Sequence, residues 1–202
     1  MKNFNRARLW MANITLALFY FYFAYNNFNS LVSGFKLSVL LILLFNSSII
    51  ILAFIRHEPQ TVTRSVFDYI IAFCGTLSPL LFIGLPEVND NTIFLSLQVI
   101  GISFAFAGLL SLNRSFGLVP ADRGIVTTGM YKFVRHPLYT GYTMICFGFL
   151  LQNFSFRNLA AFMVFIIFES LRLLIEEQFL SQNSEYKDYM GKVRWRVIPY
   201  IW

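Results

Sequence analysis

Charge is what this sequence has least of. Only 13% of its 202 residues are Asp, Glu, Lys or Arg, against about a quarter in an ordinary soluble domain. With 57% apolar residues and a mean hydropathy of +0.62, the composition excludes a soluble globular protein and reads as an integral membrane protein. Cysteine is also scarce. Cys74 and Cys146 both sit in apolar runs, which excludes a disulfide framework and a thiolate metal motif. The two histidines show no metal-ligand spacing with other donors, so no metal is expected. A small-residue cleavage site is missing after the first apolar run, so that run reads as a retained anchor and not a signal peptide. The net charge of +6 would raise the question of nucleic acid in a soluble protein. Here the basic residues lie in short loops, where they set topology and face anionic lipid, so membrane lipids are expected partners and nucleic acid is not.

What is present is apolar length. A hydrocarbon core of roughly 30 Å needs about 20 helical residues. Candidate spans are Leu9–Phe28, Leu37–Ile55, Val66–Leu85 and Thr92–Leu112, then Leu138–Leu151 and Phe156–Leu174. Pro79 is expected to bend or end the third, because proline lacks an N–H and clashes with the preceding turn. In the fourth, Gly101, Ala105 and Gly108 share one face and should admit a close helix neighbour. The fifth is short, and only Asn153 and its neighbours separate it from the sixth, so the two read as a helical hairpin.

The expected fold is therefore all-α, a polytopic transmembrane bundle of about six spans with a C-terminal hairpin. Six crossings place both termini on one side. Of the 16 Lys and Arg residues, only Lys36 and Arg157 then fall on the other side, whose third loop carries Glu87 and Asp90. That asymmetry assigns both termini to the cytosol and the chain to the cytoplasmic membrane. Residues 1–112 are read as a four-span scaffold. Residues 113–202 are read as a core containing the hairpin and an interfacial tail rich in tyrosine, tryptophan and basic residues.

Polar residues concentrate in that core. Residues 114–141 read RSFGLVPADRGIVTTGMYKFVRHPLYTG. Asp122–Gly124 suggests a turn. Pro137 biases His136 away from helical conformation and itself suits the first turn of the next helix. His136 should then stand just outside a helix start, where outward N–H groups favour a carboxylate or phosphate. Arg135 and His136 are pinned between Tyr131 and Tyr139; Lys132 and Arg123 could equally bind lipid phosphates. The second cluster is Glu169, Arg172, Glu176 and Glu177. No break signal precedes it, so the helix should continue, with Glu169, Arg172 and Glu176 on one face. Ionisable groups at such a membrane exit face a bundle interior or cavity. Two arrangements stay open: a salt-bridge ladder with Arg172 paired to Glu176, or one carboxylate holding Arg172 while its neighbour meets a ligand.

The blocks G129-M-Y-K-F-V-R-H-P-L-Y-T-G141, R172-L-L-I-E-E177, E185-Y-K-D-Y189 and V197-I-P-Y200, in that order and separation, resemble the isoprenylcysteine carboxyl methyltransferase family, within the membrane methyltransferases that include phospholipid N-methyltransferases. The resemblance covers roughly residues 112–200. Met130 stands where the family usually has proline, and QNSEY lacks a frequent glycine. The resemblance implies an S-adenosylmethionine-dependent methyltransferase. It makes residues 113–202 the cofactor-binding core, with Tyr131, Val134, His136, Pro137, Tyr139 and Gly141 lining the cofactor and Glu176 and Glu177 closing the other side. Arg172 and Glu176 are the implied catalytic residues, nearest the methyl acceptor. That acceptor is expected to be hydrophobic or lipid-like: an isoprenylcysteine carboxylate, a thiol or a lipid amine. Oligomeric state is not legible. Two other functions compete. The C-terminal architecture is also similar to membrane sterol reductases, which use NADPH, and Arg194 and Arg196 could grip its phosphate. A non-enzymatic lipid-binding protein has the weaker warrant, since no inverted repeat is visible.

Overall fold

The computed structural model describes residues 6–35, 37–85 and 91–199. Lys2, Lys36, Glu87 and Asp90 of the charge count, and Tyr200 and Trp202 of the tail, lie outside the described residues. The described residues are 74% helix and 2% strand, so the all-α expectation holds. The described α-helices are α1 (Arg6–Ser33), α2 (Leu37–Ile55), α3 (Val66–Leu77), α4 (Thr92–Leu112), α5 (Pro137–Gln152), α6 (Phe156–Leu180) and α7 (Ser184–Lys192). Two dipeptide strands, β1 (Thr61–Val62) and β2 (Ala121–Asp122), pair antiparallel.

Helix starts follow side-chain chemistry. Ser65, Asn91, Ser155 and Asn183 cap α3, α4, α6 and α7 by accepting from an N–H of the first turn, which satisfies a donor the helix cannot. Pro79 acts as the sequence indicated: α3 ends at Leu77 and passes into a 3-10 turn, Ser78–Leu81, that holds the proline. The polar cluster near the end of α6 does not interrupt it, and the helix runs 25 residues.

Length and apolarity support two membrane crossings, Thr92–Ser115 and Phe156–Leu180. They do not establish six. The regular part of α3 has 12 residues and α5 has 16, both short of the roughly 20 that a perpendicular span requires.

The chain forms two compact units, Met1–His57 and Glu58–Trp202. In the first, α1 and α2 run antiparallel. The Trp10 and Phe54 rings meet at 6.5 Å, and Arg56 donates from Nε to Asn13 Oδ1 at 3.0 Å. Much of the outer surface is apolar, including Leu18, Phe21, Tyr22 and Ile51, as lipid contact demands.

In the second unit α4 packs along α5 and α3 packs along α6. The α4–α5 seam is built from small residues. A Cβ on Gly141 would lie 2.6 Å from both the Ala105 nitrogen and the Gly101 oxygen, and one on Gly101 would lie 2.9 Å from the Gly141 oxygen. Gly148 meets Gln98 and Phe94 in the same way, and Gly108 receives Pro137. Lipid tails are as apolar as leucine, so close backbone packing of this kind is what drives helix association in a bilayer. At the far end of the hairpin, buried Asn158 accepts from the Ile83 N–H at 3.0 Å and donates to the Ile83 and Asn153 carbonyls. Asn153 accepts from Leu85 N–H. These amides tie the segment after α3 to the α5–α6 turn.

The seam makes a sharp prediction. Gly141→Val should lower stability by about 1–3 kcal/mol or more, because the new atoms meet backbone that cannot rotate away. Gly191→Ala, where an added Cβ meets open space, should be near neutral. Thermal unfolding in detergent checks both, and equal melting temperatures would contradict the packing described.

Candidate active site

The site lies where the start of α5, the end of α6 and the C-terminal segment converge. Residues 129–136 reach it through a 3-10 turn, Gly129–Lys132. Gly129 takes φ +61°, a left-handed conformation that favours glycine, and Met130 N–H donates to Ser111 Oγ at 3.2 Å. His136 caps α5 in a non-helical conformation, with Pro137 in the first turn, as the His-Pro pair indicated. Asp122 makes the expected turn, its Oδ1 accepting from Gly124 N–H at 3.0 Å.

Glu177 is the centre of the charge network. Its Oε1 accepts from Arg135 Nε at 2.7 Å and lies 3.1 Å from His136 Nε2; its Oε2 accepts from Arg196 Nε at 2.8 Å. The C-terminal segment is strapped across the same point. Arg135 and His136 N–H groups donate to the Trp195 and Arg196 carbonyls at 2.9 and 2.8 Å. The Arg135 guanidinium donates to the Val193 and Arg194 carbonyls, and Thr140 Oγ1 donates to Val197 oxygen at 2.8 Å. Arg135, His136 and Glu177 are buried. An ion pair out of water repays its desolvation only with this density of hydrogen bonds.

Glu176 is oriented differently. It is half-buried, and its Oε2 accepts from Tyr139 OH at 2.7 Å. Arg172 does not pair with it in a ladder. The Arg172 guanidinium lies 5.2 Å from the Tyr139 ring centroid, donates to the Leu118 carbonyl at 3.1 Å, and reaches Glu169 Oε1 at 3.5 Å. Of the two arrangements left open by the sequence, the ladder from Arg172 to Glu176 is not formed, and Glu169 is the carboxylate nearest Arg172. Gly75 on α3 makes room for this pair: a Cβ there would sit 3.3 Å from Glu169 Oε1.

Helix α7 closes the site from the tail. Tyr186 and Tyr189 are buried on one of its faces, and Tyr189 OH donates to the Tyr131 carbonyl at 2.7 Å. Burial pushes the phenols of Tyr131, Tyr186 and Tyr189 above the ordinary tyrosine range, so at neutral pH all three are O–H donors. Tyr186 OH is buried and makes no hydrogen bond.

Residues 91–187 match the family model described as phospholipid methyltransferase. The chain carries a phospholipid methyltransferase family domain. This family includes the isoprenylcysteine carboxyl methyltransferases, so the resemblance read from the sequence motifs holds. A domain of this family suggests a membrane methyltransferase. No curated protein gave a match.

The methyltransferase domain extends from the cap of α4 into the first turn of α7 and so contains α5 and α6, which supply Tyr139, Glu169, Arg172, Glu176 and Glu177, and the loop that supplies Arg135 and His136. Arg196 and the strap lie beyond the match, as do α1, α2 and α3. Tyr131, His136, Tyr139, Arg172, Glu176 and Glu177, singled out in the sequence, converge. Val134 and Pro137 are almost fully buried, and Pro137 packs on Gly108. Gly141 sits in the α4–α5 seam. Sequence reasoning placed Tyr186 in an interfacial tail that could also cap a pocket, and did not find the tie from Arg196 to Glu177. Tyr186 had a usable signal in the Glu-x-Tyr element; Arg196 had none, since the tail is basic throughout.

The network orders the cost of its own removal. Glu177→Gln should cost about 3–5 kcal/mol, because it leaves buried cations unpaired. Arg196→Gln, at the one partly exposed partner, should cost about 0.5–1 kcal/mol. In Arg135→Gln/Glu177→Gln the loss should be smaller than the sum of the single variants. Unfolding in detergent measures all four, and strict additivity would show that Arg135 and Glu177 do not act as a pair.

Proposed function

We propose that this chain is an S-adenosylmethionine-dependent methyltransferase that modifies a hydrophobic, membrane-partitioned acceptor, with Arg172 and Glu176 at the reacting end. The observation that carries this reading is the pairing of Glu176 with Tyr139 beside Tyr186, a buried hydroxyl that makes no hydrogen bond. A buried donor left unsatisfied carries a desolvation cost, which a ligand carboxylate or amino group would relieve. Glu176 retains acceptor capacity for an amino group or ribose hydroxyl. The Tyr139 ring face suits a cation, and Arg172 already lies over it.

The residues present therefore fit that cofactor. Tyr131, Val134, His136, Pro137, Tyr139 and Gly141 would form or support its wall, and Glu176 and Tyr186 would bind its polar groups. Glu177 would act by fixing His136 and Arg135, since both of its oxygens are already engaged. When bound, S-adenosylmethionine supplies an electrophilic methyl group. The protein's share is to position the acceptor in line, hold Arg172 as an electrostatic partner, and keep water out. Within this reading, α1 to α6 form six crossings with both termini cytosolic in a cytoplasmic membrane, the short helices tilting little. Residues 113–202 are the cofactor-binding core, and residues 1–112 are a scaffold that shapes acceptor access.

An NADPH-linked reductase needs a basic grip for a phosphate. Arg196, one of its two candidates, is committed to Glu177, so the methyltransferase reading is preferred.

Purified protein in detergent should bind S-adenosylmethionine saturably by calorimetry. Glu176→Gln and Tyr186→Phe should each weaken binding by about tenfold or more, equivalent to roughly 1.4 kcal/mol. Asp188→Asn, on the exposed side of α7, should not. No saturable binding, or displacement by NADPH at the same site, overturns the proposal.

A further inference from the structure

Glu169 lies thirteen residues beyond Phe156, the first residue of α6, or about 20 Å along the helix at 1.5 Å per residue. That places it inside a candidate span, near the exit that the sequence sets at Leu174, where an ionisable side chain faces a bundle interior or cavity and marks a pathway or reactive site. The bland role for Glu169 is to neutralise Arg172, and the geometry fills that role only in part. The contact is single and long, 3.5 Å to Oε1, where a dedicated Arg–carboxylate pair is typically short and two-pronged. Arg172 spends its other contacts on the Leu118 carbonyl and the Tyr139 ring. Glu169 Oε2 accepts no hydrogen bond, although the residue is only 6% exposed. On α3 the neighbour is Gly75, whose missing side chain leaves the carboxylate space. The charged and titratable groups within electrostatic reach are Arg172 and Glu176 on α6, His136 at the start of α5, and Tyr139 and Cys146 on α5.

We infer that Glu169 is the proton acceptor for a protic methyl acceptor, an amine or a thiol, bound beside Arg172 and Tyr139. This rests on the methyltransferase reading above and deepens it. A carboxylate nucleophile reaches a methyl donor already unprotonated and needs no such group. An ammonium or thiol must first lose a proton, and at a buried site a fixed carboxylate is placed to take it. The step is one proton transfer: an N–H or S–H bond breaks, its electron pair stays on nitrogen or sulfur, and an O–H bond forms at Oε2. The freed electron pair would then bond the methyl carbon as the donor's carbon–sulfur bond breaks, that bond's pair staying on sulfur in the departing thioether, and the Glu169 proton would pass to bulk water as product leaves. Arg172 sits beside Oε1 and leaves Oε2 open.

The full chain in lipid nanodiscs, given labelled S-adenosylmethionine, tests this with three acceptors: an amine-headgroup phospholipid, a long-chain thiol and a long-chain carboxylate. In Glu169→Gln, transfer to the amine or thiol should fall by about 100-fold at neutral pH, as loss of general base catalysis does, and much further than any transfer to the carboxylate. The deficit should narrow as pH rises and water supplies the deprotonated nucleophile. Glu169→Asp should recover part of the loss. Cofactor affinity by calorimetry should match the wild type, and because any loss of stability from leaving Arg172 unpaired acts on all acceptors alike, the dependence on acceptor and pH separates a chemical role from a structural one. An equal loss on all three acceptors, a deficit independent of pH, or a wild type that methylates only the carboxylate overturns the inference. A wild type that binds no cofactor overturns the underlying reading instead, and this one with it.

Discussion

One carboxylate carries much of this architecture. Glu177 accepts from the residue before the α5 cap, contacts the cap itself, and accepts from an arginine of the C-terminal segment. Three stretches of chain that are far apart in sequence therefore share a single buried charge. In water such contacts would be screened and nearly worthless. Here the groups are buried, so each depends on the others for solvation, and loss of one strands the rest. The backbone pairing of Arg135 and His136 with Trp195 and Arg196 fixes the strap at the same point, together with the Arg135 guanidinium and the Thr140 hydroxyl.

This arrangement frees the neighbouring carboxylate. Glu176 and Glu177 are adjacent in sequence but point to different tasks, since successive residues of a helix are about 100° apart. Glu177 faces the strap and is internally satisfied. Glu176 faces Tyr139 and keeps acceptor capacity. Arg172, one turn earlier, is held by Glu169, Leu118 and the Tyr139 ring, so its charge is placed without consuming Glu176. The small-residue seam of α4 and α5 supports all of this from behind. Gly141 and Gly101 bring the two backbones together, and the start of α5 is thereby set against α6 with its tyrosine aimed at the carboxylates.

Much of the fold was legible. Apolar length marked the helices, Pro79 marked the end of α3, and Gly101, Ala105 and Gly108 marked the seam face. The continuation of α6 through its charged end was legible because no breaker stands there. The number of crossings was less so. Periodicity and apolarity mark a helix but say little about where it stops, and α3 and α5 proved shorter than a span. Helix α7 escaped notice because its nine residues are mostly polar and their two buried tyrosines read as membrane-surface anchors. Within the site, the His-Pro block and the paired glutamates stood out, since proline geometry and helical spacing are local. The partners of Glu177 did not.

The sequence by itself determined a helical membrane protein, the positions of its polar blocks, and a family motif that the comparison with phospholipid methyltransferases supports. These are local properties: hydropathy, periodicity and backbone preference are written within a few residues of one another. Tertiary structure alone decided which charge meets which. Several arginines could have paired with Glu177, and Arg172 could have paired with Glu176. The outcome depended on how closely α4 and α5 approach, where the strap crosses, and the space Gly75 leaves beside Glu169. A buried ion finds its partner through packing geometry, and no spacing along the chain encodes that.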